Sequence, residues 1–492
     1  MYKQLTILLL IAAVMCPPEL RAEVKTDALI RVRVTGQSFD FFRPWAKKSP
    51  STREGLGVII SGSRILVTAR LIKDATMVEL ENIVTRDKTS ASVAHVDYAA
   101  NLALIVPDDA RFLSGVEPWE IHPISAIGDA VQSIQFEDNG RAIVTEGEIK
   151  AIDLANYPFD VASLLAYRAE ISLARDVSSY TLPVTFENRL VGIVMTYSRN
   201  DREAGIIPAP VILRFLEDLE DGDYAGFPRA GFGFSSLEDP QVRRYTGLDG
   251  DSDEGVYLTF VIPGSPIDRA GIKKGDVLLG IDEFCLDRFG EYEDPEFGSQ
   301  SVAHLTTTRA KAGDSVVFHI LRDGKPLDVD VTLEPIPFED FPVVPVILDK
   351  APQFIIVGGL ILQELSVGYL QEWGGKWATK SPRRLYWYQQ HQWEMFKPGE
   401  RVVLLSQVLA SEGNIGYDRL QFLRVTEING IKLNQLADVE TALKSPVKGF
   451  HKISFDEHPT EIYLNADTLD AENARIKDRY QLPRLKRING EH

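Results

Sequence analysis

The chain has 492 residues, 44% hydrophobic and 25% charged, the balance of ordinary folded protein. At about 100 to 200 residues per domain it holds two to four domains. With 71 Asp and Glu against 53 Lys and Arg the net charge is −18, which excludes a general affinity for nucleic acid or anionic lipid.

The N-terminus places Lys3 before an apolar run from Leu5 to Met15, then Leu20, Arg21 and Ala22. A positive charge, a short apolar core and small or apolar residues ahead of the cut predict a secretory signal over 1–22, cleaved after Ala22. The run is too short to span a bilayer, so no integral membrane span is expected. Met15 is a poor residue before a lipid-modified Cys16, which argues against a lipoprotein. The expected location is the periplasm, or secretion by another route. With Cys16 removed only Cys285 remains, so the domains rest on hydrophobic cores. No metal or other cofactor is expected.

Residues 23–224 carry short β-rich runs: "LIRVRV" from Leu29, "GLGVIISGSRILVTA" from Gly55, "NLALIV" from Asn101, "VASLLAY" from Val161 and "NRLVGIVMTY" from Asn188. Such runs between Gly, Asp and Asn predict an antiparallel barrel or sandwich. Val211, Ile212, Phe215 and Leu216 then recur at helical spacing in a segment ending at the linker Asp221-Gly222-Asp223. A second unit spans 229–337, a proline-rich connector follows, and a third unit spans 346–482 before a basic tail over 483–492. "DVLLGIDEF" from Asp276 and "LRVTEINGI" from Leu423 stand at matching places in the two units, which reads as a degenerate tandem repeat.

The run from Gly264 to Leu279, "GSPIDRAGIKKGDVLL", resembles the signature of PDZ domains, and Gly231-Phe232-Gly233-Phe234 resembles their carboxylate-binding loop. Two glycines around a bulky residue let successive backbone N–H groups aim at a peptide's terminal carboxylate. Phe232 and Phe234 are expected to floor the groove, "VAHLTTTRA" from Val302 to form its helix, Leu305 its wall, and His304 to meet a hydroxyl on the bound peptide. A closing hairpin is expected around Asp323-Gly324. With a PDZ module behind an exported β-rich domain, the N-terminal part resembles the HtrA/Deg serine proteases. The supporting segments are "GLGVIISGSRILVTARLI", "VDYAANLALIV", "NRLVGIVMTY" and "IIPAPVILRFLED". The C-terminal third is similar to the divergent second PDZ of plant-type and fungal Deg proteins. The resemblance implies a mainly β architecture: a chymotrypsin-like double β-barrel followed by two PDZ domains. It also implies a homo-oligomer, a trimer or a multiple of one, joined through aromatics near the start of the protease domain. Phe39, Phe41, Phe42 and Trp45 are the matching residues.

That family's catalysis needs a serine oxygen, an imidazole and a carboxylate. The motifs place Arg70 at the imidazole position and Asn101 at the carboxylate position. A guanidinium stays protonated and cannot act as base. The nucleophile motif is replaced by "VSSYTLPV" from Val177, with Ser179 or Tyr180 at the nucleophile position depending on one gap, and neither followed by a glycine pair. Catalysis through Ser179 with His95 as a displaced base is the contrary reading. In "DGDSDEG" from Asp249 the acidic residues alternate as in a calcium loop, but Glu254 and Phe260 stand where Gly and Glu are required, so a plain acidic turn is expected. Tyr386, Trp387, Tyr388, Trp393 and Phe396 read as packing of an insertion in the third unit. The expected function is thus an exported, proteolytically inactive binder of unfolded or C-terminal peptide segments in envelope protein quality control, or a scaffold. An active serine endopeptidase with an unconventional site is the alternative.

Overall fold

The computed structural model describes residues 26–159, 162–175, 181–220, 222–345 and 347–488, so the leader over 1–22 and the motif positions Ser179 and Tyr180 lie outside the described residues. Alternation sets the first strand: β1 (Leu29–Gly36) buries Ile30, Val32 and Val34 and turns Arg31 and Arg33 outward. With β2 (Ser51–Ile60), β3 (Arg64–Thr68), β4 (Ala75–Asn82), β5 (Lys88–Asp97) and β6 (Leu102–Pro107) it closes a barrel in the order β1-β2-β3-β6-β5-β4.

The second barrel repeats that order with β7 (Ala130–Phe136), β8 (Ala142–Asn156), β9 (Ser163–Ile171), β10 (Leu182–Phe186), β11 (Arg189–Ser198) and β12 (Glu203–Pro208). Closure leaves no free sheet edge in either barrel. One apolar core, with Tyr157, Tyr167 and Phe215 fully buried, joins both barrels to the helix Ala209–Glu220. Among the described residues no helix is long and apolar enough to cross a membrane.

The next sheet runs β13-β14-β15-β19-β20, from β13 (Phe232–Ser235), β14 (Val256–Val261), β15 (Val277–Ile281), β19 (Ser315–Arg322) and β20 (Lys325–Thr332). The short strand β16 (Phe284–Cys285) pairs with β15, and β17 (Glu291–Asp294) with β18 (Gly298–Ser301) forms a separate hairpin. Arg322 faces Lys325 across the Asp323-Gly324 turn. The segment expected as a groove helix is one short 3-10 turn, Val302–His304, continued by turns.

The last sheet runs β27-β26-β24-β23-β22-β21-β28, with β25 (Ile431–Lys432) pairing β24. Its strands are β21 (Phe354–Val357), β22 (Leu360–Glu364), β23 (Val403–Val408), β24 (Leu423–Ile428), β26 (Phe450–Phe455), β27 (Glu461–Asn465) and β28 (Lys486–Arg487). The basic tail expected beyond the third unit therefore contributes a strand to it: Ile355 faces Lys486 and Phe354 faces Arg487. Of the insertion aromatics, Tyr388 and Phe396 pack in a core cluster, Trp393 meets Phe341, and Tyr386 meets Trp377. Trp387 stays half exposed against His391.

The aromatic segment expected to be a free trimer interface is occupied within this chain. Phe42 meets Tyr369 at 5.5 Å and Trp373 at 4.8 Å between ring centroids, and Trp45 meets Phe354 at 6.2 Å. Its aromatic faces pack on the second PDZ-like unit, on the short helix Val367–Gln371 with the adjoining Trp373 and on β21, which reduces the exposure on which that expectation rested.

Candidate functional site

The end of β3 and the turn before β6 bring Arg70 and Asn101 together. Asn101 is fully buried at φ +53, and its Oδ1 accepts the Arg70 backbone N–H at 2.9 Å while its own carbonyl accepts from Ala69 at 3.0 Å. The backbone donor fixes which end of the amide is oxygen. The other end, Nδ2, is buried with no hydrogen-bond partner among the described residues. Where a carboxylate would offer a second acceptor to an imidazole N–H, this side chain offers only a donor. The strand that follows the nucleophile motif returns to the same place: Thr181 shares a hydrogen bond with Thr68, and its carbonyl accepts Leu56 N–H at 2.9 Å.

His95 is elsewhere. Its ring lies against Phe215 and Tyr224, 5.7 and 4.3 Å between centroids, and burial lowers its basicity. The adjacent Asp97 is committed to the Tyr224 hydroxyl and to the amides of Ala99 and Ala100. That carboxylate ties down the segment leading to the first PDZ-like unit rather than orienting an imidazole. In the acidic turn, Asp249 Oδ1 accepts the Asp251 amide at 3.1 Å, a turn-closing contact.

The first PDZ-like unit holds a groove of about 320 Å³ along the outer edge of β13. Gly231, Phe232 and Phe234 form one side, Ala303, Thr306 and Thr307 another, and Asn156, Ala162 and Ser163 of the β8–β9 hairpin add a third. Phe232 reaches the core at Phe318, 6.3 Å between centroids. The barrel wall is fastened by Leu165 N–H to Thr308 Oγ1 at 3.1 Å and by Gln300 Nε2 to Ile152 O at 2.8 Å. At Gly231, φ is +92 and a side chain would strike Ser265. At Gly233 a side chain would strike the half-exposed Phe260 ring on β14, away from the groove.

His304 and Leu305, expected on the groove wall, face away from it. Leu305 is 4% exposed in the core with Val302. The His304 ring points at the β17–β18 hairpin, with Nδ1 2.6 Å from the Tyr292 hydroxyl and 3.8 Å from Asp294. Burial pushes the imidazole down to about 4. Spacing explains the offset: Val302 and Leu305 satisfy the core at i and i+3, which leaves 303, 306 and 307 on the outer face. The threonine run Thr306-Thr307-Thr308 was the signal that marks a polar groove wall.

The second PDZ-like sheet repeats the inner order of the first, β22 standing where β13 stands. Its outer edge is already paired: β21 hydrogen-bonds to β22, and β28 to β21. Among the described residues, an incoming strand finds there only the outer side of β28.

Family models described as PDZ domain match residues 228–333 and 343–486. A putative mitochondrial protease Do-like 3 of Arabidopsis thaliana is 24% identical over 420 residues, 84% of this chain and 71% of that protein. The chloroplastic protease Do-like 2 of the same plant is 28% identical over 422 residues, 83% of this chain and 66% of that one. Among solved structures, the HtrA-type protease AlgW with a decapeptide aligns over 64% of this chain and 98% of its own, at 17% identity and a TM-score of 0.48. With two PDZ domains behind a pair of closed six-stranded barrels, the chain belongs to the HtrA/Deg family and is homologous to the plant Deg proteases.

Proposed function

We propose that this is an exported HtrA/Deg protein without peptidase activity, which binds C-terminal or unfolded polypeptide segments in the first PDZ groove. The observation that carries the reading is the Arg70–Asn101 pair: a permanent cation and a neutral amide stand at the positions of the base and its orienting carboxylate. The leader carries the export reading, with the periplasm or extracellular space as destination and envelope protein quality control as the setting. The second PDZ domain, its edge filled by its own strands, serves assembly. A homo-oligomer, a trimer or a multiple of one, is proposed from family membership, because the aromatic segment is engaged within the chain.

Casein incubated with the purified protein is expected to stay intact, and a serine-reactive fluorophosphonate to leave the protein unlabelled. Cleavage together with labelling that disappears in Ser179→Ala would instead establish an endopeptidase with an unconventional site.

Groove binding follows β-augmentation along β13, with affinity from main-chain hydrogen bonds and the apolar pocket reading the last residue. Ala303→Trp, which fills the groove, is expected to abolish binding of a peptide with an apolar, free-acid C-terminus. Gly233→Val turns Phe260 aside and is expected to change affinity by less than about threefold. Fluorescence anisotropy with free-acid and amidated peptides checks both, and equal binding of the two peptides would contradict carboxylate recognition.

A further inference from the structure

The first barrel gathers positive charge that is scarce in a chain of net charge −18. Arg53 on β2 donates Nε–H to Leu71 O at 3.0 Å and a second N–H to Lys73 O, closing the turn Ala69–Ile72 that carries Arg70. Burial lowers the basicity of both Arg53 and Lys73, and the nearby charges of Asp74 and Asp349 oppose that loss. Asp349 comes from the stretch of the second PDZ domain that leads into β21. Its carboxylate accepts the Asp74 backbone N–H at 2.5 Å and the Tyr98 hydroxyl. Tyr98 in turn lies edge-on to Phe159 of the second barrel, 5.1 Å between centroids, so it bridges the two barrels. Asp74 follows Arg70 by four residues and Tyr98 precedes Asn101 by three, so this entry stretch of the second PDZ domain is fastened beside the degenerate catalytic positions. Asp349 is exposed and held at φ +55, a conformation an aspartate adopts at some cost.

We propose that the Tyr98 hydroxyl and the Asp74 amide, backed by Arg53 and Lys73, form a carboxylate seat at the junction of the barrels. Asp349 fills the seat in the resting molecule, and an Asp or Glu side chain of a bound polypeptide takes its place and frees the entry stretch of the second PDZ domain. The inference rests on the reading that this protein binds polypeptide segments. Both occupants are carboxylates, so contact for contact they are equivalent. Asp349 holds the seat by its high local concentration, on the order of millimolar for a tethered group.

The test uses the full chain and a fluorescein-labelled peptide of alternating Glu and Ser, with anisotropy as readout. Asp349→Gly removes the resident carboxylate and suits φ +55; it is expected to bind this peptide at least about tenfold more tightly than the parent chain. Adding Tyr98→Phe, which keeps the ring on Phe159, is expected to cancel the gain, and a Gln-for-Glu peptide is expected not to show it. Unchanged affinity in Asp349→Gly, a gain that survives Tyr98→Phe, or a gain shared by the Gln peptide would each overturn the seat. The apolar-ended peptide is measured in the same samples. If it binds while the acidic one does not, the seat alone fails; if neither binds, the polypeptide-binding reading fails with it.

Discussion

Replacing Asp294 by alanine is expected to cost the first PDZ domain about 3–5 kcal/mol, because it leaves a buried hydrogen-bond and charge network without its acceptor. The carboxylate is fully buried and accepts four bonds: Tyr292 hydroxyl at 2.9 Å, Arg309 at 2.8 Å, and the amides of Glu296 and Phe297 at 2.9 and 3.1 Å. Burial works to raise this carboxyl; the amides and the Tyr292 hydroxyl outweigh it and hold it below the usual range. Since Tyr292 gives its proton to Asp294, His304 Nδ1–H must donate to the Tyr292 oxygen, and the imidazole is neutral. The pH dependence follows with a definite sign. His304 takes a proton near 6.5 when unfolded but only at about 4 when folded, so the unfolded chain gains protons first as pH falls. The His304 share of stability is complete above 6.5, declines through the window from 6.5 to 4 by about 3 kcal/mol and is level below it, where the depressed Asp294 carboxyl begins to lose its own share as pH falls further. Hydrogen exchange at the Glu296 and Phe297 amides reads both effects, and His304→Gln, which still donates to Tyr292, is expected to flatten the decline. An unaltered slope would assign the acid sensitivity to other groups.

Much of the fold was legible because it is locally encoded. Alternation in "LIRVRV" gives β1, and Gly231-Phe232-Gly233-Phe234 marks an outer strand by its two glycines. What escaped depends on contacts between distant residues. Lys486 and Arg487 read as a charged tail, yet their main chain pairs with Ile355 and Phe354, some 130 residues earlier in the sequence. Main-chain pairing leaves no mark on side-chain pattern when only two residues take part. The groove wall was misplaced by one register step, because Val302 and Leu305 look equally suited to a ligand and to a core. Thr306 and Thr307, buried yet polar, distinguish the faces only once the β8–β9 hairpin is seen to supply the third wall. Asp349 is one acid in the stretch that leads into β21; nothing nearby in sequence announces Tyr98 or Asp74 as its partners.

Phe42→Ala is expected to loosen the second PDZ domain from the barrels at a cost of about 2–3 kcal/mol, below the cost of emptying a full core site because Phe42 is half-buried. Phe42 sits edge-on to both Tyr369 and Trp373, and its carbonyl accepts Gln407 Nε2 at 2.9 Å. The neighbouring contacts are individually weaker: Lys48 with Glu372 at 2.7 Å is an exposed-side ion pair, and Arg487 donates to Pro44 O at 3.0 Å. Removing the ring therefore takes away an apolar contact of the junction with two aromatic partners while leaving its polar contacts in place. Faster hydrogen exchange over Gly368–Trp373 and a larger radius of gyration by small-angle scattering are the expected readings, with Lys48→Ala moving neither. If Phe42→Ala leaves exchange and scattering as in the parent chain, the polar contacts, Trp45 on Phe354 and the Asp349 fastening hold the domain without it. The aromatic segment would then again be available to join one copy to another.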